Sequence, residues 1–321
     1  MARSRRISRG LAIRLIVSVT LLVILITKVP DFDGVFPASH HGRTALFLGA
    51  AFAMALAGVV LAAWRWQRVL SVYDVDVGIF PLFSVYLASL FVGNVLPSTI
   101  GGDVLRVSRL GRRVGSTEAA FGSVVLERLS GFVALPALVL VGFAVRPALL
   151  DEDRAFIALL IALVTLGLLI SILFMAGHPR AAGRFADNEN WTRFIGAVHQ
   201  GVDCLRRDPA HVAHVLLTAI VYQLSVVASV MLIATALDLP VPLTAIFAFV
   251  PAVAMVQVLP ISVSGLGVRE GMLVLFLEPL GASEAQCIGL GLLWYASLLL
   301  VSALGAPSFV AVQRAQTHTS P

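Results

Sequence analysis

Residues 94–106 read NVLPSTIGGDVLR and residues 257–270 read QVLPISVSGLGVRE. Each opens on an amide side chain, Asn94 or Gln257, followed by Val-Leu-Pro. Each then passes through glycines to an arginine, from Pro97 to Arg106 and from Pro260 to Arg269. The two prolines lack an amide hydrogen and disfavour helix at the preceding leucine. Gly101 and Gly102 in the first phrase, and Gly265 and Gly267 in the second, permit positive φ and close backbone approach. Ser98, Thr99, Ser262 and Ser264 can bond freed backbone groups or a ligand. A helix start of this kind also attracts anions such as phosphate.

The chain around these phrases is 59% hydrophobic and 13% charged over 321 residues, where soluble proteins are roughly half apolar and a quarter charged. Stretches at about 11–29, 45–64, 117–145, 155–176, 211–237 and 284–310 are long enough to cross a hydrocarbon core of about 30 Å. Two further apolar segments, 79–105 and 243–281, are interrupted by the paired phrases. The fold expected is therefore all-α: one integral membrane domain over 1–321, with six full spans and two broken segments. The basic N-terminus leads into Leu15–Ile26 with no small-residue cleavage site before Lys28, which reads as a retained span and not a signal peptide. Cys204 and Cys287 are too few for a disulfide framework or a metal cluster. The net charge of +5 would suggest nucleic acid in a soluble protein; here the arginines sit in short loops and report membrane orientation instead.

Arginines crowd the N-terminal tail and the loops at 65–78, 106–116 and 177–210, whereas loops 28–44 and 146–154 offset their basic residues with aspartate and glutamate. Positive-inside logic places both termini in the cytoplasm. Segment 79–105 should then enter and leave on the cytoplasmic side, and segment 243–281 on the outer side. The phrases would sit at the tips of two re-entrant hairpins of opposite orientation, an inverted repeat whose broken helices form a site near the midplane. A second reading makes both phrases turns at the membrane boundary. Residues 189–208 place Trp191, Phe194, Ile195, Val198, Val202 and Leu205 on one face, as an amphipathic helix on the cytoplasmic interface would.

The charges sharpen the site. Glu127 and Arg128 lie inside the span that begins near Ser116, and a rise of 1.5 Å per residue puts Glu127 roughly 15 Å in. An ionisable group at that depth faces a partner or a cavity. Neighbours diverge by about 100° around a helix, so Glu127 and Arg128 are poor partners for each other. Asp103, Arg106, Arg269 and Glu270 are the available complements. The pairing expected is Glu127 with Arg106 or Arg269, leaving Arg128 to Asp103, Glu270 or an anionic headgroup. A purely structural charge network is the competing reading.

Other patterns carry less. GLGVREG lacks the spacing of a dinucleotide fingerprint, and His211 and His214 have no further ligand set. No catalytic arrangement of Ser, His and Asp or of Cys and His stands out. Tyr222, Gln223 and Trp294 fall within spans, where packing or interhelical hydrogen bonding is the default.

The text NVLPSTIGGDVLRVSRL, SVVLERLSGF and LPISVSGLGVREG resembles the lysylphosphatidylglycerol synthase transmembrane-region family, the flippase-like membrane proteins, in the family's order and spacing and over nearly the whole chain. In bifunctional relatives this region translocates an aminoacylated phospholipid made by a separate soluble domain. The resemblance implies the lipid-moving half here, without the aminoacyltransferase domain. It also implies matching positions at Asn94, Pro97, Gly101, Gly102, Asp103, Arg106, Glu127, Arg128, Pro260, Ser262, Gly265, Gly267, Arg269 and Glu270; Gln257 joins them from the paired phrases.

The function expected is a lipid flippase or translocase of a bacterial inner membrane, acting on a lipid with an anionic or polar headgroup. It would need no cofactor, metal or nucleic acid, and its oligomeric state stays open. The alternatives are an intramembrane enzyme using Glu127 or Asp103 as a base, or an accessory subunit bound to envelope-biosynthesis proteins.

Overall fold

The computed structural model describes residues 41–95, 99–177, 209–259 and 262–309, together with Thr20 and Val23. The expected first span at 11–29, the amphipathic segment at 189–208 and the two prolines Pro97 and Pro260 lie outside the described residues, apart from those two positions. Among the described residues every regular element is helical. Helix α1 spans His41–Ser71, α2 Ile79–Val95, α3 Thr99–Val114 and α4 Thr117–Val145. Then follow α5 at Ala155–Gly177, α6 at Pro209–Ala236, α7 at Leu243–Gln257, α8 at Val268–Leu277 and α9 at Glu284–Ala303.

Five helical stretches are long and apolar enough to cross a membrane: Gly42–Ser71, Thr117–Val145, Ala155–Ile172, Ala210–Ala236 and Glu284–Phe309. They correspond to five of the six expected spans, and the protein is a polytopic helical membrane protein. Apolar side chains such as Leu160, Leu163, Val164, Leu168, Ile170 and Phe174 are exposed on α5. Lipid is the solvent that such a surface requires.

The remaining helices are short. At about 1.5 Å per residue, α7 runs about 22 Å and α8 about 15 Å, less than the hydrocarbon thickness. α2 and α3 fold back on each other as one pair, and α7 and α8 as another. In the first pair a Cβ on Gly102 would stand 2.6 Å from the carbonyl oxygen of Ser89, so the backbones approach closely where only glycine fits. In the second, Phe249 of α7 stacks on Phe276 of α8 with centroids 4.8 Å apart, and Phe143 of α4 meets Phe249 edge-on at 5.6 Å.

The two pairs open toward opposite ends of the bundle. At one end, the close of α1 meets the base of the first pair: Gln67 Nε2 donates to the carbonyl of Val77 at 2.9 Å, and Leu70, Val77 and Leu110 share a buried cluster. At the other end, Arg43 at the start of α1 pairs with Asp238 just past α6. There too Arg146, past the close of α4, donates to Thr244 Oγ1 at the base of α7, 3.1 Å away. Between these ends α1 and α6 run antiparallel in close contact. Ser229 Oγ donates to the carbonyl of Ala51 at 2.9 Å, and Gly58 faces Ser225.

Two boundaries differ from the sequence reading. α1 continues past residue 64 to Ser71, so Arg65 and Arg68 are helical and not loop residues. Trp66, Val69 and Leu70 explain why: they extend the buried face at helical spacing. The second arm of the first pair likewise runs to Val114, because Leu110 packs inward while Arg112 and Arg113 face out.

Candidate functional site

Glu127 lies on α4 at 1% exposure, near the middle of the bundle. A carboxylate there is costly unless charges and hydrogen bonds replace water. Two arginines supply them. Arg65 Nη2 from α1 donates to Glu127 Oε1, and Arg106 Nη2 from α3 stands 2.6 Å from Glu127 Oε2. Arg106 is also 3.8 Å from Asp103, one turn earlier on its own helix.

Both guanidinium groups lie over aromatic faces. Arg106 sits 4.1 Å from the ring centre of Trp66 and 4.5 Å from that of Tyr86, and Arg65 lies 4.5 Å from that of Tyr222. Ring quadrupoles attract a cation and offset part of its lost hydration. The Trp66 indole is itself fixed, donating from Nε1 to Ser123 Oγ at 3.0 Å. Helices α1, α2, α3, α4 and α6 thus converge on one carboxylate.

Arg128 follows Glu127 and points elsewhere. It is 42% exposed and bonds Asp103 Oδ2 at 2.5 Å, with Asp103 itself 25% exposed. The turn of the helix between adjacent residues therefore separates a buried cluster from a partly solvated pair. Arg106, the first of the two expected partners, is the residue beside Glu127; Arg269 is not.

Arg269 instead belongs to a closed local network in the second hairpin. The chain returns from α7 through Ser264, Gly265 and Gly267, with φ of 52°, 75° and 81°. A Cβ on Gly265 would come within 2.9 Å of Gln257 Cβ, so the turn needs glycine for space as well as for φ. α8 then begins, and Glu270 Oε2 accepts from the backbone N–H of Gly267 at 2.6 Å, where a negative charge suits a helix N-terminus. Its other oxygen accepts from Arg269 Nε at 3.1 Å and Nη2 at 2.7 Å. These neighbours do pair, because Glu270 turns back over the first turn of the helix. Arg269 lies 5.0 Å from the ring centre of Tyr295 and 5.7 Å from that of Trp294.

The two networks border one cavity of about 390 Å³ between the two helix pairs. Asn94, Gly102, Asp103, Arg106, Glu127 and Arg128 line it from the first hairpin and α4; Gln257 and Arg269 line it from the second hairpin. Of the other residues picked from the sequence, Gly101 lies within α3, while Gly265, Gly267 and Glu270 shape the wall behind Gln257 and Arg269. Ser262 is buried, and its hydroxyl has no hydrogen-bond partner. Arg65, Tyr86, Gly131 and Tyr295 line the cavity without having been singled out, and Tyr222 and Gln223 line it where packing was the default expectation. The clue to Arg65 is the continued helical spacing of Trp66, Val69 and Leu70, which carries the helix past the end of its apolar run. Among the described residues, no group of three or more His, Cys, Asp or Glu side chains is placed to hold a metal ion.

Fold and cavity together define an integral membrane protein with a polar, charged chamber lined by both pairs of short helices and by the spans around them. The family description "Lysylphosphatidylglycerol synthase TM region" matches residues 11–305, and the chain belongs to that family. No curated protein matches the chain.

Proposed function

We propose that the protein is a lipid translocase of the bacterial cytoplasmic membrane, moving a polar-headed lipid between leaflets. The observation that carries the reading is the cavity itself, with Arg65, Asp103, Arg106, Glu127, Arg128 and Arg269 at its wall inside a bundle whose core is mostly apolar. Charges at such depth are retained for pathways and coupling sites more often than for stability. Family membership supports a role in lipid metabolism or transport.

In this reading the two short helix pairs are re-entrant hairpins, since neither arm of the second pair spans the hydrocarbon and the pairs open at opposite ends. Both pairs contribute lining residues to the chamber, which supports an inverted repeat. The headgroup occupies the chamber while the acyl or isoprenoid tails stay in the bilayer. The basic residues Arg68, Arg112 and Arg113 mark the cytoplasmic end.

The test is reconstitution into vesicles with fluorescent lipids, followed by quenching from outside. Accelerated loss of the protected half of the signal, abolished in Arg106→Gln, is expected. A rate equal to that of protein-free vesicles for every lipid tried would sink the reading.

A further inference from the structure

The chamber's charges do not balance. Arg65, Arg106 and Arg128 face Asp103 and Glu127, while Arg269 is neutralised by Glu270. One positive charge is left over, and it falls on the most deeply buried part, where Arg65 and Arg106 share a single carboxylate. Donors are left over as well: Arg65 Nε and Nη1 and Arg106 Nε are buried without a hydrogen-bond partner. An unmet charged donor in such a place is costly, and an anionic acceptor would satisfy it.

An unengaged carboxylate for a cation is missing by the same count. Asp103 is engaged by Arg128 and Arg106, Glu127 by Arg65 and Arg106, and Glu270 by Arg269 and the Gly267 amide. No carboxylate among the described lining residues is therefore free for an ammonium group. The rest of the polar lining is neutral, with Ser89 and Ser264 beside the tyrosines Tyr86, Tyr222 and Tyr295 and the amides of Asn94, Gln223 and Gln257. Such groups suit hydroxyls. Gly131 packs against the unmet donors: a Cβ there would come within 3.2 Å of Arg65 Nη1 and 3.4 Å of Gln223 Nε2.

We infer that the chamber selects its lipid by charge. It takes a singly charged phosphate diester bearing hydroxyls and no ammonium, with the phosphate oxygens received between Arg65 and Arg106. This rests on the lipid-translocase reading and narrows it to one headgroup class. The same chemistry exists in a free, deacylated headgroup, so the source of the diester is a separate question.

The experiment is native mass spectrometry of the purified full chain with equal amounts of phosphatidylglycerol, phosphatidylethanolamine and lysylphosphatidylglycerol. Phosphatidylglycerol should be retained over the lysyl lipid by at least about tenfold, the factor that one charge-assisted hydrogen bond commands. Soluble glycerophosphoglycerol serves as the competitor: displacement means the diester alone suffices, and no displacement means the acyl chains are needed, both with the headgroup preference retained. Gly131→Ala adds a methyl against Arg65 without removing an ion pair. It should keep wild-type helicity and melting temperature while lowering phosphatidylglycerol retention about tenfold. Equal or preferred retention of the lysyl lipid overturns the inference, as does wild-type retention by Gly131→Ala. If lipids still relocate in vesicles, only this inference falls; if none is retained or moved, the translocase reading falls with it.

Discussion

At Glu127 and Asp103, two carboxylates face arginines, yet they differ in what their removal should do. Glu127 is buried between Arg65 and Arg106, and its neutralisation leaves Arg65 out of water with no carboxylate partner and Arg106 with only Asp103, 3.8 Å away. Breaking such a site by removing one partner costs about 3–5 kcal/mol. Glu127→Gln should therefore lower the melting temperature of the purified protein strongly. Asp103 meets Arg128 where both are partly exposed, and pairs of that kind contribute about 0–1 kcal/mol. Asp103→Asn should melt close to wild type; equal losses in both variants would contradict this division. The demand of a mid-span carboxylate for a partner was readable from the sequence, and so was its narrowing to Arg106 or Arg269; which of the two it takes was not, because that depends on how the helices pack. Arg65 was not, because the apolar run stops at Trp64 although the helix does not. Nor was the self-pairing of Arg269 with Glu270, which depends on three departures into positive φ within four residues, at Ser264, Gly265 and Gly267.

At the scale of elements, the glycines of the hairpins and spans fall into two kinds. Gly102 and Gly142 hold helices together: an added Cβ would lie 2.6 Å from the Ser89 carbonyl oxygen in one case and 2.5 Å from Ala248 Cα in the other. Backbone atoms cannot give way as a side chain can, so Gly102→Ala and Gly142→Ala should each cost about 1–3 kcal/mol. Gly49 on α1 has nothing within 4 Å of its Cβ position. Gly49→Ala should then be neutral or stabilising by up to about 1 kcal/mol through helix propensity. Melting curves of the three variants check the contrast, and a Gly102→Ala protein as stable as wild type would mean that α2 and α3 do not approach as described. The helix breaks themselves were visible in the paired Pro-Gly phrases, since those residues disrupt helix whatever surrounds them. The length of α3 was hidden. Its arginines read as loop by hydropathy, and the helix is sustained by one inward face carrying Arg106 and Leu110.

Over the whole molecule, connectivity fixes which ends lie together, while the side of the membrane that each end faces is a prediction from charge. The short 72–78 and 115–116 connections gather the close of α1, both ends of the first hairpin and the start of α4 at one end. Arg68, Arg112 and Arg113 are there. The opposite end holds Asp151, Asp153, Asp238 and Glu278, near two 3₁₀ turns at Pro147–Asp151 and Glu278–Leu280 and the start of α7. Basic loops stay on the cytoplasmic side, and acidic residues have little influence on orientation. In a background lacking Cys204 and Cys287, a cysteine at Arg112 should react with a membrane-impermeant maleimide only after cells are opened. A cysteine at Asp153 or Asp238 should react in intact cells. Asp76→Cys, at the other foot of the first hairpin, should follow Arg112, because both feet of a re-entrant pair share a side. Labelling of residues 76 and 112 from opposite sides would remove the first hairpin. Its inverted relation to the second would go with it, because the tips could no longer approach one chamber from two sides.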